Sequence, residues 1–332
     1  MRVLRRVLLM VLIIWIAASI NFLMPRLSDR NPVEEVIAAS MGESGGTMEG
    51  FEEAVADFER RFGMDQPIWK QYFNSVYDAL TFDLGMSISY FPERVSTLVL
   101  QAAPWTLGIM LITTLLAFVS GTPLGALTVW PRAPRWLNIV VPVVMILAAI
   151  PFYLIGLILI YVFASRLRWL PTGKGYSAGM LPEWSWDFVQ NVLIHALLPA
   201  LSIFLASIGI WALSMRGMMV TVQGEDYMVF AKAKGLTNSR RFWRYGVRNA
   251  IAPQITALVL TLANVVTGAV LVERVFAYPG LGNLLYQAIL LNDYYLIFGC
   301  VYMLVLTVGV SLMLLDLVYP LIDPRIRSEA RG

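Results

Sequence analysis

One histidine, His195, and one cysteine, Cys300, are all that this chain of 332 residues offers of the side chains that most often bind metals or pair as nucleophile and base. A lone cysteine makes neither an intramolecular disulfide nor a cysteine-based metal site, and a lone histidine removes most His-based metal and triad schemes. His195 follows Asn191 by one helical turn near the end of an apolar run, and a histidine satisfied within a helix bundle fits it better than a ligand or a proton relay. The phosphate-cradling pattern G-x-x-x-x-G-K-[ST] is missing, because Thr172-Gly173-Lys174-Gly175 lacks the upstream glycine. Glu273, Arg274 and Asp316 stand at the ends of apolar runs, whereas proton coupling places carboxylates nearer a membrane midplane. No acid, base and nucleophile share a boundary, so no catalytic residue, metal or cofactor is expected on this chain.

One charged stretch stands apart. Tyr227 to Pro253, YMVFAKAKGLTNSRRFWRYGVRNAIAP, is long and strongly basic and lies between two charge-free apolar runs. A membrane chain seldom keeps such a segment unless something on the cytoplasmic side holds it.

The elements around it are membrane spans. Apolar residues make up 58% of the chain against roughly 45–50% in soluble domains, and charged residues 14% against about 25%. A soluble fold is excluded on composition. Six runs free of Asp, Glu, Lys and Arg are of membrane-crossing length, which is about 20 helical residues: Val7–Leu23, Pro104–Val129, Trp136–Phe163, Val189–Met215, Gln254–Val272 and Tyr294–Leu315. The predicted fold is all-α, a polytopic six-helix domain over residues 1–332 with no convincing internal repeat.

Basic residues set the orientation. With the N-terminus inside, cytoplasmic parts hold fifteen Lys and Arg, seven of them between Arg216 and Arg248, and the short outer loops hold four. Both termini and the loop 216–253 are therefore expected in the cytoplasm. Residues 25–103 form an external insertion, with thirteen acidic against six basic residues. The net charge of +3 reflects this topology and points to no nucleic acid. A cleaved signal peptide is the alternative for the first run; its continuation to Leu23 and the spans that follow favour a retained helix. Within the insertion, apolar spacing predicts helices over Thr47–Phe62 and Ile68–Leu80. Gly121, Pro123, Gly125, Pro142, Pro151 and Pro199 interrupt spans, which suits either kinked, moving helices or close packing through Gly121-x-x-x-Gly125. Trp15, Trp105, Trp130, Trp136 and Trp169 are expected near membrane boundaries.

The Ala231-x-Ala233-x-Gly235 core, followed by basic residues and Asn249-Ala250-x-x-Pro253, resembles the cytoplasmic coupling (EAA) loop of ABC-importer permeases. Three further blocks resemble the oligopeptide/dipeptide branch of that family. They are Phe62-Gly63-Met64-Asp65-Gln66-Pro67-Ile68-Trp69-Lys70-Gln71-Tyr72 with Asp83-Leu84-Gly85-x-Ser87, the outer loop Glu273 to Gly282, and Asp316 to Arg327. Two departures are visible. Met24-Pro25-Arg26-Leu27-Ser28-Asp29-Arg30-Asn31-Pro32 replaces an L-P-G-D-P-like element, and Val229 stands where the loop motif has a glutamate.

The resemblance implies the type I importer permease fold. Two homologous permeases would form the pathway, lined by the second to fifth spans. Two cytoplasmic ATPases would bind ATP and Mg, and an external binding protein would deliver substrate. The implied coupling residues are Glu225, Asp226, Ala231, Ala233, Lys234 and Gly235, and Phe276, Pro279, Gly280 and Gly282 would face the binding protein. In physical terms, a short helix ended by a glycine with positive φ would present Ala231 and Ala233 to a partner groove. The chain alone would not hydrolyse ATP. Peptides are the expected substrate, with oligosaccharides or nickel as alternatives in the same branch. A secondary transporter or channel would need coupling carboxylates or a filter.

Overall fold

The structure, a computed structural model, describes residues 2–26, 55, 60, 66–131, 133–263 and 270–322. In chain order the helices are α1 (Arg2–Arg26), α2 (Ile68–Thr81), α3 (Val95–Thr128), α4 (Leu137–Ala149), α5 (Phe152–Leu159) and the wider π-turns π1 (Ile160–Arg166).

 In this series α5 covers Phe152–Leu159 and runs into π1 without a break. There follow α6 (Trp186–Gln223), α7 (Asp226–Ala233), a turn of helix at Asn238–Arg240, the π-wound π2 (Arg241–Val247), α8 (Arg248–Ala263), α9 (Val270–Val275), α10 (Leu281–Leu290) and α11 (Tyr294–Ile322). The described residues hold no strand, only one antiparallel bridge between Met86 and Arg94.

Among the described residues, Val95–Thr128, Trp186–Gln223 and Tyr294–Ser311 are long and apolar enough to cross a membrane. Ile139–Ala149 and Phe152–Arg166 make a fourth span if taken together, bent by 106°. The expected runs fall on α1, α3, the α4–α5 pair, α6, α8 with α9, and α11, where the first stands only as a shorter apolar helix, Val11–Ile20, and residues 264–269 of the fifth lie outside the described residues. Two others differ from expectation. The third breaks at Ile150-Pro151, where the proline ring drives the preceding residue out of the helical region: Ile150 has φ −91° and ψ 125°. The fourth does not stop at Met215. It continues to Gln223 as a helix of 38 residues, about 57 Å long against a hydrocarbon core of about 30 Å. Pro142 and Pro199 lie inside continuous helices, so only one of these prolines marks a sharp bend.

Tracing contacts divides the chain into two compact units: Met1–Thr106 with Pro279–Val310, and Leu107–Tyr278 with Ser311–Gly332. In the second unit, α6 is the central helix and glycines set how closely others approach it. A Cβ on Gly125 would lie 2.1 Å from the Ala212 carbonyl oxygen, and one on Gly121 would lie 2.6 Å from that of Ile208. Gly209 meets α4 in the same way, with Ala148 Cβ at 2.4 Å. The Gly121-x-x-x-Gly125 pattern is thus a packing surface between α3 and α6.

In the first unit, α2 lies along α1, as the amphipathic spacing of Ile68–Leu80 predicts a helix there. The other predicted helix of the insertion, Thr47–Phe62, lies outside the described residues. Tyr72 packs edge-on against Phe22 at 5.4 Å and shares a 2.9 Å hydrogen bond with Ser19. Ala79 is buried among Ile14, Ala18 and Tyr302, whose hydroxyl donates to the Ala79 carbonyl at 2.6 Å. The buried Asp293 carboxylate caps α11 by accepting from Leu296 N at 3.0 Å, and it also accepts from Ser87 Oγ and Ser89 N.

Candidate functional site

The segment around α7 is built on a small apolar core. Met215, Met219 and Val222 on α6, Ala126 on α3, Met228 on α7, Phe242 on π2 and Ala250 on α8 form one buried cluster. Trp130 closes it, with its ring 5.0 Å from that of Phe242. Gln223 Nε2 donates to the Val129 carbonyl at 3.1 Å and ties the end of α6 to the residues after α3. Gly246 permits this packing, since a Cβ there would meet the Met219 methyl at 3.1 Å. α7 therefore stands on the extension of α6 beyond Met215 as a mounted element rather than as a free loop.

Its ends are specified locally. α6 ends at Gln223, and the Gly224-Glu225 turn leads straight into α7. At the other end Leu236 N donates to the Ala231 carbonyl at 3.2 Å and Gly235 N to the Lys232 carbonyl at 3.0 Å, with Gly235 at φ +69°. That pair of bonds is the Schellman arrangement, in which glycine takes the left-handed position without the Cβ clash. Glu225 and Asp226 at the start of α7 and Lys232 and Lys234 at its end complement the helix dipole. All four are exposed, and the Glu225 side chain makes no capping bond to the helix. Burial raises the Tyr227 phenol above its usual pKa, a hydrogen bond with Asn249 opposes that shift, and the charge of Glu225 adds to it.

Ala231 and Ala233 face opposite ways, against the expectation that both present themselves to a partner. Ala231 is 3% exposed and turned inward with Met228, one helical turn apart. Its small size serves the packing of this chain. Ala233 is exposed, and beside it on the outer face are Val229 and Phe230, the latter 67% exposed. Trp243 on π2 is also exposed, as are Lys232, Lys234, Arg240 and Arg244 in the same segment. Phe230 and Trp243 are the residues that sequence reading missed. The sequence carried no signal for them, because Val229 and Phe230 are as apolar as Met228 and Ala231, and spacing alone does not say which side of the helix is buried.

Of the residues expected to face a binding protein, Phe276, Gly280 and Gly282 are buried within this chain. Phe276 is 1% exposed: a Cβ on Gly156 would lie 2.9 Å from its ring, and its carbonyl accepts from Lys174 N at 2.7 Å. Gly173 takes that contact because any Cβ would fall 1.9 Å from the Phe276 oxygen. Gly280 and Gly282 are buried as well, where Gly280 precedes α10 and Leu281 N donates to Thr106 Oγ1 at 2.8 Å. Pro279 is partly exposed, and Arg274 and Ala277 are the exposed residues of Glu273 to Gly282. Phe276, Gly280 and Gly282, which the resemblance implied for recognition, are buried in the packing of this chain. His195 is buried, with Nδ1 2.9 Å from the Asn191 carbonyl, in keeping with a bundle histidine.

Comparison with known proteins places this arrangement. Residues 121–328 match the family described as binding-protein-dependent transport system inner membrane component. The chain is 30% identical to the oligopeptide transport system permease protein of Haemophilus influenzae, over 83% of this chain and 86% of that protein. It is 31% identical to an oligopeptide transport system permease protein of Bacillus subtilis, over 81% and 84%. It is 33% identical to a probable D,D-dipeptide transport system permease protein of Escherichia coli, over 82% and 84%.

Proposed function

The chain belongs to the family of binding-protein-dependent transport system inner membrane components, and from that membership we propose that it is half of the translocation pathway of an ATP-driven importer of di- and oligopeptides. The supporting observation for the substrate is that relatives matched over more than four-fifths of their length are named as oligopeptide or dipeptide permeases. A second homologous permease completes the pathway, and an external binding protein delivers the peptide. Two cytoplasmic ATPases hold ATP and Mg, and this chain contributes no nucleotide site. Both termini and the α7 segment lie in the cytoplasm.

Energy enters at α7. ATP-driven closure of the ATPases moves a groove on their surface, and a short, rigidly mounted helix seated in that groove is carried with it. The exposed Phe230 is the side chain of α7 best suited to fill such a groove, with Val229 and Ala233 on the same face of the helix. Because α7 follows α6 after a two-residue turn and packs on the same core, its displacement is passed to a helix that crosses the membrane.

Substrate is tested by uptake. Cells that lack this subunit are expected to lose accumulation of a labelled tri- or tetrapeptide and to regain it from the restored gene. Unchanged peptide uptake together with lost uptake of an oligosaccharide or of nickel would overturn the peptide assignment and leave the permease assignment standing.

A further inference from the structure

The helix α2 belongs to the insertion expected outside the membrane, yet its contacts run down the side of a membrane helix. Tyr72 touches Phe22 and Ser19 of α1, and Ala79, two turns later, touches Ala18 and Ile14. α2 is therefore antiparallel to α1 and descends as α1 rises. Ala18 is eight residues below Arg26, the end of α1, and Tyr302, which also packs on Ala79, is eight residues below Tyr294, the start of α11. Both measures give a descent of about 12 Å at 1.5 Å per residue.

The return path is also recorded. Leu84 lies 3.4 Å from a Cβ placed on Gly299, Gly85 sits beside the ring of Tyr295, and Ser87 bonds to Asp293. Successive residues thus meet α11 at successively higher levels, one near each turn. The segment goes in as a helix and comes out as extended chain whose last polar groups are satisfied at the top of α11.

α2 has three faces. Tyr72, Val76 and Ala79 pack on α1 and α11. Trp69, Phe73, Tyr77 and Leu80 form an apolar flank, every one of them more than half exposed. Lys70, Asn74, Asp78 and Thr81 form the face turned away from α1 and α11, also exposed, and near it Asp83 pairs with Arg94 at 3.7 Å. The free surface of α1 at the same level carries Trp15, Ile16, Ile20 and Leu23, a surface that a membrane-spanning helix presents to lipid. A flank continuous in depth with that surface meets the same solvent. Charged groups at this level need water, because exposing them to acyl chains costs several kcal/mol.

We propose that residues 68–84 are a re-entrant segment in the leaflet at the Arg26 end of α1, with the Trp69, Phe73, Tyr77 and Leu80 flank against lipid acyl chains and the Lys70, Asn74, Asp78 and Thr81 flank on a water-filled vestibule. This inference rests on α1 and α11 spanning the membrane and is independent of the substrate assigned above. It divides the insertion into a part that enters the bilayer and a remainder that does not need to.

Nitroxide accessibility tests it. Single cysteines are introduced as Phe73→Cys, Leu80→Cys, Asn74→Cys and Asp78→Cys in a Cys300→Ala background. The full chain, with the subunits that co-purify with it, is returned to phosphatidylcholine vesicles. Oxygen, which partitions into lipid, is expected to reach the labels at 73 and 80 several-fold better than a water-soluble nickel chelate does, with the reverse preference at 74 and 78. Nickel access at 73 and 80 equal to that at 74 and 78 would overturn the proposal, since α2 would then lie in water. Exclusion of both reagents from 73 and 80 would overturn it too, since protein would then cover the flank.

Discussion

Gly125→Leu is expected to lower the thermal midpoint of the detergent-solubilised protein sharply and to reduce its yield from membranes. The argument is the 2.1 Å approach of an added Cβ to the Ala212 carbonyl oxygen, with the Ala212 carbonyl carbon and Cα at 2.8 and 2.9 Å. All three are backbone atoms or fixed to backbone, so no side-chain rotation relieves the clash. α3 and α6 must separate, and Ala126 and Met215, both fully buried next to the crossing, lose their packing. Overpacking of this kind falls at or above the upper end of about 1–3 kcal/mol. Gly108→Leu is the control in the same helix, because a Cβ at Gly108 meets nothing within 4 Å. Equal midpoints for the two variants would mean that the close crossing of α3 and α6 is wrong.

Phe230→Ala is expected to leave accumulation and thermal midpoint near those of the parent while peptide uptake falls by about an order of magnitude or more. An exposed side chain contributes little to the fold of this chain, so its removal acts on the docked state. A central aromatic at an interface contributes about 2 kcal/mol, and 1.4 kcal/mol is a factor of ten in affinity. Gly235→Val should lower uptake by a different route. An added Cβ at Gly235 has open space, so the penalty is the left-handed backbone, about 1–2 kcal/mol, which frays the end of α7. ATPase stimulation measured with the assembled complex separates the effects: Phe230→Ala is expected to need more ATPase subunit for full stimulation. Uptake at the parent rate in both variants would remove α7 from energy coupling.

Much of the fold is legible in the sequence because charge-free runs and short basic loops follow from lipid physics alone. Charge-free length located α3, α6, α11 and the bent α4–α5 pair, and Gly121-x-x-x-Gly125 gave a packing face. The bend at Pro151 was not legible, because Pro142 and Pro199 are the same residue type and lie inside continuous helices. The extension of α6 to Gln223 was hidden by Arg216, which ends the apolar run without ending the helix. At the site, the glycine stop at Gly235 was readable, since few residues other than glycine take positive φ at a helix end. The direction of Ala231 was not. Eight residues make two turns, and alanine fits a buried and an exposed face equally well. Phe276 and Gly173 illustrate the same limit, because an aromatic and a glycine far apart in sequence give no sign that they close on one another. The path of α2 along α1 was invisible for a related reason: amphipathic spacing identifies a helix but not which solvent lies on each side of it.

The central claim, that α7 is seated in the ATPase, is tested most directly by photo-crosslinking from single positions in the assembled transporter. Benzoylphenylalanine in place of Phe230 is expected to yield a covalent adduct with the ATPase subunit on illumination, and the same group in place of Ala277 in the outer loop is expected to yield none. A dependence of the Phe230 adduct on nucleotide would follow from a joint that moves with ATPase closure. An assembled and illuminated complex with no ATPase adduct from position 230, Val229 or Ala233 would contradict the account.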